Sequence, residues 1–244
     1  MLVEICLPVK NEAKILTVNL QRVLDFCQTA GFSFDWKIVG LINGSSDATL
    51  DIFSVFKNKY PTLIDYVEIP NPGRGYALKK YWLESQADIL SYLDIDLAVL
   101  PNQLPALLNP LINDEADLVI GSRLSVTSKV QRSLLRETTS RFFNLLTHLI
   151  FFNHASDLQC GFKAIKTETF KKIAPFIKNN YWFFDSELVI LSQYFSFRLR
   201  EIPVNWSESR YEKRASKVKV VRDIIRSFKD IFLFWIRLKT IPKN

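Results

Sequence analysis

Over the first 120 residues, short apolar runs alternate with longer stretches of helical spacing, and this alternation constrains the fold more than any other feature. The apolar runs cover residues 3–9, 36–42, 64–69, 89–93 and 116–121. Between them lie 12–29, 47–59, 73–86 and 101–112, whose apolar residues recur every three or four positions. Strand followed by helix, repeated in this way, predicts an α/β fold with a mainly parallel sheet covered on both faces. Such sheets bind ligands beyond the carboxyl ends of their strands, near a switch in strand order. Pro8, Asn43, Asp94 and Gly121 all fall at or near predicted strand ends.

Beyond residue 125 the character changes. The segment 128–152 has a helical pattern, with Lys129, Arg132, Arg136 and Arg141 leading into a strongly apolar end. Residues 157–165 read as a loop and short strand, 167–175 and 185–194 as helices, and 197–203 as a strand. No internal repeat or low-complexity linker interrupts the chain. The simplest organisation is one compact domain, residues 1–206, with a C-terminal extension, 207–244.

That extension holds the whole charge bias of the chain. Residues 208–244 carry eleven Lys or Arg against four Asp or Glu, which equals the net +7 of all 244 residues. A basic segment of this kind seeks an anion: phosphate, nucleic acid or a membrane surface. Val221, Ile224, Ile225, Phe228, Ile231, Phe232, Trp235 and Leu238 follow helical spacing, and Lys219, Arg222, Arg226 and Lys229 form a cationic stripe beside them. A basic amphipathic helix with Phe and Trp suits a membrane interface. A helix packed on the core with a solvated outer face accounts for the same pattern, and one helix can do both. The 48% hydrophobic content excludes a disordered chain. The N-terminus enters a strand pattern at once, without the charged and apolar regions of a secretory leader. No apolar run reaches the ~18 residues of a membrane-spanning helix. Cys6, Cys27 and Cys160 have no zinc-like spacing and read as reduced thiols of a cytoplasmic protein.

The segment "ILSYLDIDLA" (89–98) ends an apolar run on two carboxylates, Asp94 and Asp96. An unpaired buried carboxylate is costly. Either these are ordinary turn residues, or they share one face of an extended segment and hold a hard divalent cation through oxygen. "LPVKNEAKIL" (7–16) leads strand into helix through Pro8, Asn11 and Glu12, and "INGSSDATLD" (42–51) does the same with Ser46 or Asp47 as helix cap. "NPGRGYALKKY" (71–81) sets Arg74 between two glycines before a helix, a pattern that serves either a simple turn or a phosphate site.

In this order, "PVKNE", "NGSSDAT", "GRGYAL", "DIDLA", "IGSR", "DLQCGFKA", "FFDSELV" and "SKVK" resemble family 2 glycosyltransferases, inverting enzymes that use nucleotide sugars. More narrowly the chain is similar to the dolichyl-phosphate mannose and glucose synthase branch and its bacterial polyprenyl-phosphate relatives. The resemblance runs from about residue 5 to 219. It implies a GT-A type fold, Rossmann-like and flanked by helices, with Mg²⁺ or Mn²⁺ as cofactor. It implies that Pro8, Asn11 and Glu12 border the nucleotide, that Asn43 lies near base and ribose, and that Asp94 faces the nucleotide sugar while Asp96, with Asp94, binds the metal. Arg74 and Arg123 would meet phosphates. Asp157, Gln159 and Cys160 would line the sugar side, and Asp185 and Glu187 the acceptor region. Lys163, Arg210 and Lys217 would hold donor or acceptor phosphate. The implied partners are a nucleotide-sugar donor, a polyprenyl-phosphate acceptor and the inner face of the membrane, with an integral-membrane partner or a second copy also admitted and no nucleic acid.

The chain departs from the family pattern at Ile42, where an acidic residue is common, and at Ala98, where mannose-transferring relatives carry Gln. Both argue against a close copy of the mannose synthase. A lipid phosphate is already anionic, so it attacks the sugar without the general base an alcohol needs, and the run "FFNLLTHLIFF" offers apolar surface for its prenyl chain. Two other readings stay open: a family 2 enzyme acting on a polysaccharide or glycolipid hydroxyl, with Asp185 or Glu187 as base, and a non-catalytic sugar-nucleotide binder.

Overall fold

The computed structural model describes residues 1–131, 134–207 and 220–242. The expected alternation is present. β1 (Leu2–Val9), α1 (Ala13–Thr29), β2 (Asp35–Asn43), α2 (Thr49–Lys59), β3 (Ile64–Ile69), α3 (Arg74–Glu84), β4 (Ile89–Leu93), α4 (Leu104–Ile112) and β5 (Leu118–Ser122) follow one another. A short 3-10 turn, Pro101–Gln103, leads into α4. The second half adds β6 (Lys129–Gln131), α5 (Leu134–Phe151), β7 (Phe162–Lys166), α6 (Thr167–Ile173), α7 (Phe184–Tyr194), β8 (Leu199–Pro203), β9 (Asn205–Ser207) and α8 (Val220–Leu238).

Seven strands form one sheet in the order β3-β2-β1-β4-β7-β5-β8. β7 runs antiparallel to both its neighbours, and the other pairings are parallel. The chain winds outward from β1 to β3, then returns to lay β4 on the other side of β1. The crevice between β1 and β4 is therefore the switch point where this architecture places ligands.

Strand alternation loads both faces of the sheet. Val3, Ile5, Leu7 and Val9 of β1 enter one core cluster with Leu16, Leu20 and Val23 of α1 and Leu104, Leu107, Leu108 and Leu111 of α4. Cys6, Val39, Leu41 and Tyr92 enter the other, with Ala77, Leu78 and Trp82 of α3 and with α6 and α7.

Two local expectations are corrected. Residues 128–131 are not helical: Lys129–Gln131 is a short strand that pairs in parallel with Asn205–Ser207. So polar a triplet becomes a strand through its partner rather than through its own propensity. β9 also runs through the expected boundary at residue 206.

The C-terminal helix α8 belongs to the same body. Its Ile231 and Phe234 are buried in the second core cluster, with Leu238 packed against it. Phe228, Phe232 and Trp235 of the same apolar stripe are exposed, as are Leu233 and Ile236. α8 is thus apolar on two sides. Val221, Ile224, Ile225 and Arg222 lie outside the described side chains, and Lys219, Arg132, Arg210 and Lys217 outside the described residues.

Candidate active site

The "DID" segment does not extend β4. It turns immediately: Leu97 N–H donates to Asp94 O at 3.0 Å, and Leu97 adopts φ +52°. Ile95 between the carboxylates is buried in the first core cluster, and its carbonyl accepts 2.7 Å from the buried Asn19 Nδ2 of α1. The central isoleucine anchors the turn, so both flanking aspartates are left partly exposed. They share a site through this turn, not through the face of an extended segment. Asp96 Oδ1 accepts from Ala98 N at 3.2 Å. Ala98 is buried, and its carbonyl accepts from Ser207 N of β9 at 2.9 Å.

Asp94 faces Arg74, the first residue of α3. The guanidinium Nη2 lies 3.4 Å from Asp94 Oδ1 and 3.8 Å from Asp185 Oδ2. Its plane is held between the ring of Tyr92, at 4.9 Å, and that of Trp182, at 5.1 Å. The side chain is only 10% exposed, yet neither Nε nor Nη2 makes a hydrogen bond of good geometry within the protein. Buried donors left in this state are costly unless something else accepts them. Burial pushes the Asp94 carboxyl up, Arg74 pulls it down, and the neighbouring charges of Asp96 and Asp185 raise it, for a result of about 6. Two carboxylates that repel each other beside a half-satisfied guanidinium fit a hard cation together with an anion.

Beneath Arg74 sits a second, closed layer. Lys163 of β7 is fully buried, and its ammonium donates to Cys160 O at 2.5 Å and Asp185 Oδ1 at 3.1 Å. The Tyr92 hydroxyl also donates to Asp185. Burial, with Asp185 beside it, raises the Tyr92 phenol well above its ordinary value, so it stays protonated. Lys163 and Asp185 are thus committed to each other and support Arg74 from below.

Several residues expected to touch ligand are engaged within the protein. Asn43 Nδ2 donates to Val9 O at 2.9 Å, while its Oδ1 accepts from Gly73 N at 3.3 Å, so it ties β1 to the start of α3. Asn11 Oδ1 accepts from Ser46 N at 2.7 Å. Glu12 N donates to Thr49 Oγ1 at 3.0 Å. Neither Ser46 nor Asp47 is the N-cap of α2, which is Ala48; Asp47 instead accepts from the backbone amides of Thr49 and Ala13, each at 3.1 Å. These bonds lace together the loops after β1 and β2, with Pro8 half-buried at the end of β1. Ile42 is buried in the first core cluster, so the family departure there is absorbed by packing.

Asp157 is fully buried and bound by Arg123 through Nε at 2.7 Å and Nη2 at 2.9 Å, and by Arg123 N at 3.0 Å. Its Oδ1 also accepts from Gln159 N, at 3.1 Å. Burial alone would raise this carboxyl, but the bidentate Arg123 outweighs it and holds Asp157 at about 2. The pair braces the loop before β7, which is a structural role. Asp157→Asn, which leaves Arg123 buried and uncompensated, should cost about 3 kcal/mol of stability at neutral pH. The folded carboxyl lies below the ~3.9 of an unfolded Asp. Its contribution is therefore complete above about pH 4 and lost as the pH falls toward 2. Urea unfolding of both proteins between pH 6 and 3 checks this: the gap between midpoints should narrow as the pH falls, and a constant gap would refute the assignment. Burial pushes the Cys160 thiol up to about 12, so it remains neutral.

Glu187 was expected in the acceptor region. Its Oε2 instead accepts from Lys178 N at 2.7 Å and Asn179 N at 2.9 Å, and its Oε1 from Arg237 of α8 at 2.5 Å. Three site residues escaped sequence reasoning. Tyr92 and Trp182 carry no motif signal of their own. Gly161 lies in the segment expected as a loop and short strand, and a Cβ there would stand 2.0 Å from Asp94 Oδ2 and 2.8 Å from Arg74 Nη2. The glycines around Arg74 also serve packing, since a Cβ on Gly75 would stand 2.4 Å from Phe184 Cβ.

Among the described residues no third Asp, Glu, His or Cys joins Asp94 and Asp96. The turn is therefore suited to a cation that completes its coordination from a phosphorylated ligand.

A sequence model described as Glycosyl transferase family 2 matches residues 4–174. Glycosyltransferase AglD of Haloferax volcanii is 29% identical over 241 residues, which cover 99% of this chain and 38% of that protein. Dolichyl-phosphate beta-glucosyltransferase ALG5C of Trichomonas vaginalis is 27% identical over 231 residues, covering 90% of this chain and 68% of its own. The human dolichyl-phosphate beta-glucosyltransferase is 28% identical over 219 residues, covering 84% and 67%. In fold, the chain is similar to glucosyl-3-phosphoglycerate synthase of Mycobacterium tuberculosis, solved with Mn²⁺, uridine diphosphate and glucosyl-3-phosphoglycerate. The TM-score is 0.64 at 17% identity, over 98% of this chain and 80% of that one.

Proposed function

The chain belongs to glycosyl transferase family 2, and from that premise we propose that it transfers a hexose, glucose before others, from a nucleotide sugar to a polyprenyl or dolichyl phosphate. The observation that carries this reading is Arg74: a buried, stacked guanidinium with unanswered donors, set against the Asp94–Asp96 turn at the β1/β4 switch point. A diphosphate answers those donors; Asp94 and Asp96 would hold a divalent ion, which would supply positive charge to the leaving diphosphate. Mn²⁺ accompanies uridine diphosphate in the fold neighbour, and Mg²⁺ has the same preference for oxygen.

In the reaction, an oxygen of the lipid phosphate forms a bond to the sugar C1 as the bond from C1 to the donor diphosphate breaks. The electron pair leaves with the nucleoside diphosphate, and C1 inverts. No proton has to be removed from the attacking group. This suits a site whose other carboxylates are occupied: Asp185 is bound by Tyr92 and Lys163, and Glu187 by two amides and Arg237. A hydroxyl acceptor would need one of them as base. The relatives named as dolichyl-phosphate glucosyltransferases support the same acceptor and sugar.

The outer faces of α5 and α8 support attachment to the inner face of a membrane. Phe142, Leu145 and Leu149 of α5 are exposed beside Phe228, Phe232 and Trp235 of α8, with the rings of Phe142 and Phe228 6.4 Å apart. Lys239 lies over the Trp235 ring, a pairing suited to an anionic interface. Among the described residues, no helix is long and apolar enough to cross a membrane.

The test is incubation with labelled UDP-glucose or GDP-mannose and polyprenyl phosphate, with Mn²⁺ or Mg²⁺. Label should enter the organic phase, most strongly from the glucose donor. Absence of organic-soluble label across a panel of nucleotide sugars overturns the proposal.

A further inference from the structure

Side chains on one face of α8 reach the stretch 178–182 next to the site and the Glu187 that holds it. Arg237 pairs with Glu187 Oε1 at 2.5 Å, and the Arg226 guanidinium lies 3.9 Å over the Tyr181 ring. Glu187 passes the contact on through Oε2, which accepts from the amides of Lys178 and Asn179. The same stretch ends at the candidate site. Asn180 O accepts from Tyr76 N at 3.0 Å in the first turn of α3. Trp182 closes the outer face of the Arg74 guanidinium. Glu187 therefore has both oxygens committed, and the segment it holds is the one that lays an aromatic ring on the cation of the site.

We propose that Glu187 and the inner face of α8 form a positioning relay: through residues 178–182 they hold Trp182 on Arg74 and so set the donor-binding geometry. The C-terminal helix then has two roles. Its outer apolar side faces lipid, and its inner polar side sets the guanidinium that receives the diphosphate. This rests on the transferase reading above and adds to it a dependence of donor binding on how α8 is seated. Arg74 can meet an anion only in the orientation its two ring partners allow, and one of those rings is carried on a surface segment with no helix or strand of its own. A cation stacked on a ring is stabilised only while the ring stays in register with it.

Two variants cut the relay from the α8 side: Arg237→Met, which removes the partner of Glu187, and Arg226→Ala, a half-exposed residue whose loss leaves the core untouched. Hydrogen exchange in the unliganded protein reads the first half of the relay. The amides of Lys178, Asn179 and Tyr76 should exchange about tenfold faster in either variant, as expected for a local opening eased by one lost interaction. Donor KM reads the second half. Arg237→Met and Trp182→Ala should each raise it by about tenfold, the scale of one desolvated cation–ring contact. The double variant should match Trp182→Ala alone, because both act through the same ring. A merely structural Glu187 would lower the melting temperature while leaving the effects on KM additive. Unchanged exchange at Tyr76 in both variants, or additive KM effects, overturns the relay. A wild-type protein that transfers no sugar overturns the transferase reading, and in that case the exchange data alone decide whether α8 positions Arg74.

Discussion

An Asp96→Asn protein should lose sugar transfer by about 10²–10³-fold, together with the metal-dependent part of its donor affinity, and still unfold at the wild-type midpoint. The two halves of that expectation rest on different parts of the turn. Its shape is held by Ile95 in the core and by Asn19 on the Ile95 carbonyl. The 3.2 Å bond that Asp96 accepts from Ala98 N survives because an asparagine oxygen also accepts. What disappears is charge. A neutral amide oxygen holds a hard divalent ion more weakly than a carboxylate, and among the described residues no third acidic ligand substitutes. The readout is a thermal shift. A donor at a hundred times its Kd stabilises the native state by about 2.7 kcal/mol, so the wild type should show a clear rise in Tm with UDP-glucose and Mn²⁺. Asp96→Asn should show only the remnant due to Arg74, and EDTA should reduce the wild type to the same level. Full activity in the variant, or a wild-type response to manganese, would remove Asp96 from the metal site.

The outline of the fold was legible because burial on both faces of a parallel sheet demands continuous apolar runs, and those stand out in the sequence. β3 falls at residues 64–69 and β4 at 89–93, as expected. Strand order was not legible. Nothing in "FKAIK" announces that β7 runs antiparallel between β4 and β5, because that depends on where the intervening chain travels. The site divides in the same way. Asp94, Asp96 and Arg74 could be picked out because charges at strand ends and helix starts need a reason. Tyr92 and Trp182 could not, because their contribution is to face Arg74 across the tertiary structure, and a sequence does not record faces. Asn43, Asp157 and Glu187 carry the opposite lesson. They occupy motif positions, but their polar atoms are used to hold loops in place. Motif membership alone does not separate a residue that touches ligand from one that supports it.

Gly161 gives the sharpest separation of fold from function, and Gly161→Ala should be a severe activity mutant with modest loss of stability. The added methyl would stand 2.0 Å from Asp94 Oδ2, which no side-chain packing tolerates. The backbone need not yield. Asp94 is 39% exposed and can swing its carboxylate into solvent, so the steric cost should stay near the ~1 kcal/mol lower end for overpacking. The site cannot accept that escape. Moving Asp94 breaks its alignment with Asp96 and with Arg74, whose Nη2 lies 2.8 Å from the same methyl position. A displacement of about 1 Å in a positioned group costs on the order of 10²-fold in rate, and here two groups of opposite charge are displaced together. Transfer should therefore fall by about 10²–10³-fold, with a Tm within a few degrees of wild type. Adding Gly161→Ala to Asp94→Ala should do little further harm, since the methyl then occupies the space the carboxylate has vacated. If Gly161→Ala transfers sugar at the wild-type rate, Asp94 and Arg74 do not act together in the position assigned to them. If instead the protein unfolds, the glycine serves the chain rather than the chemistry, and the rescue by Asp94→Ala distinguishes the two: it restores stability only if the clash is with that side chain.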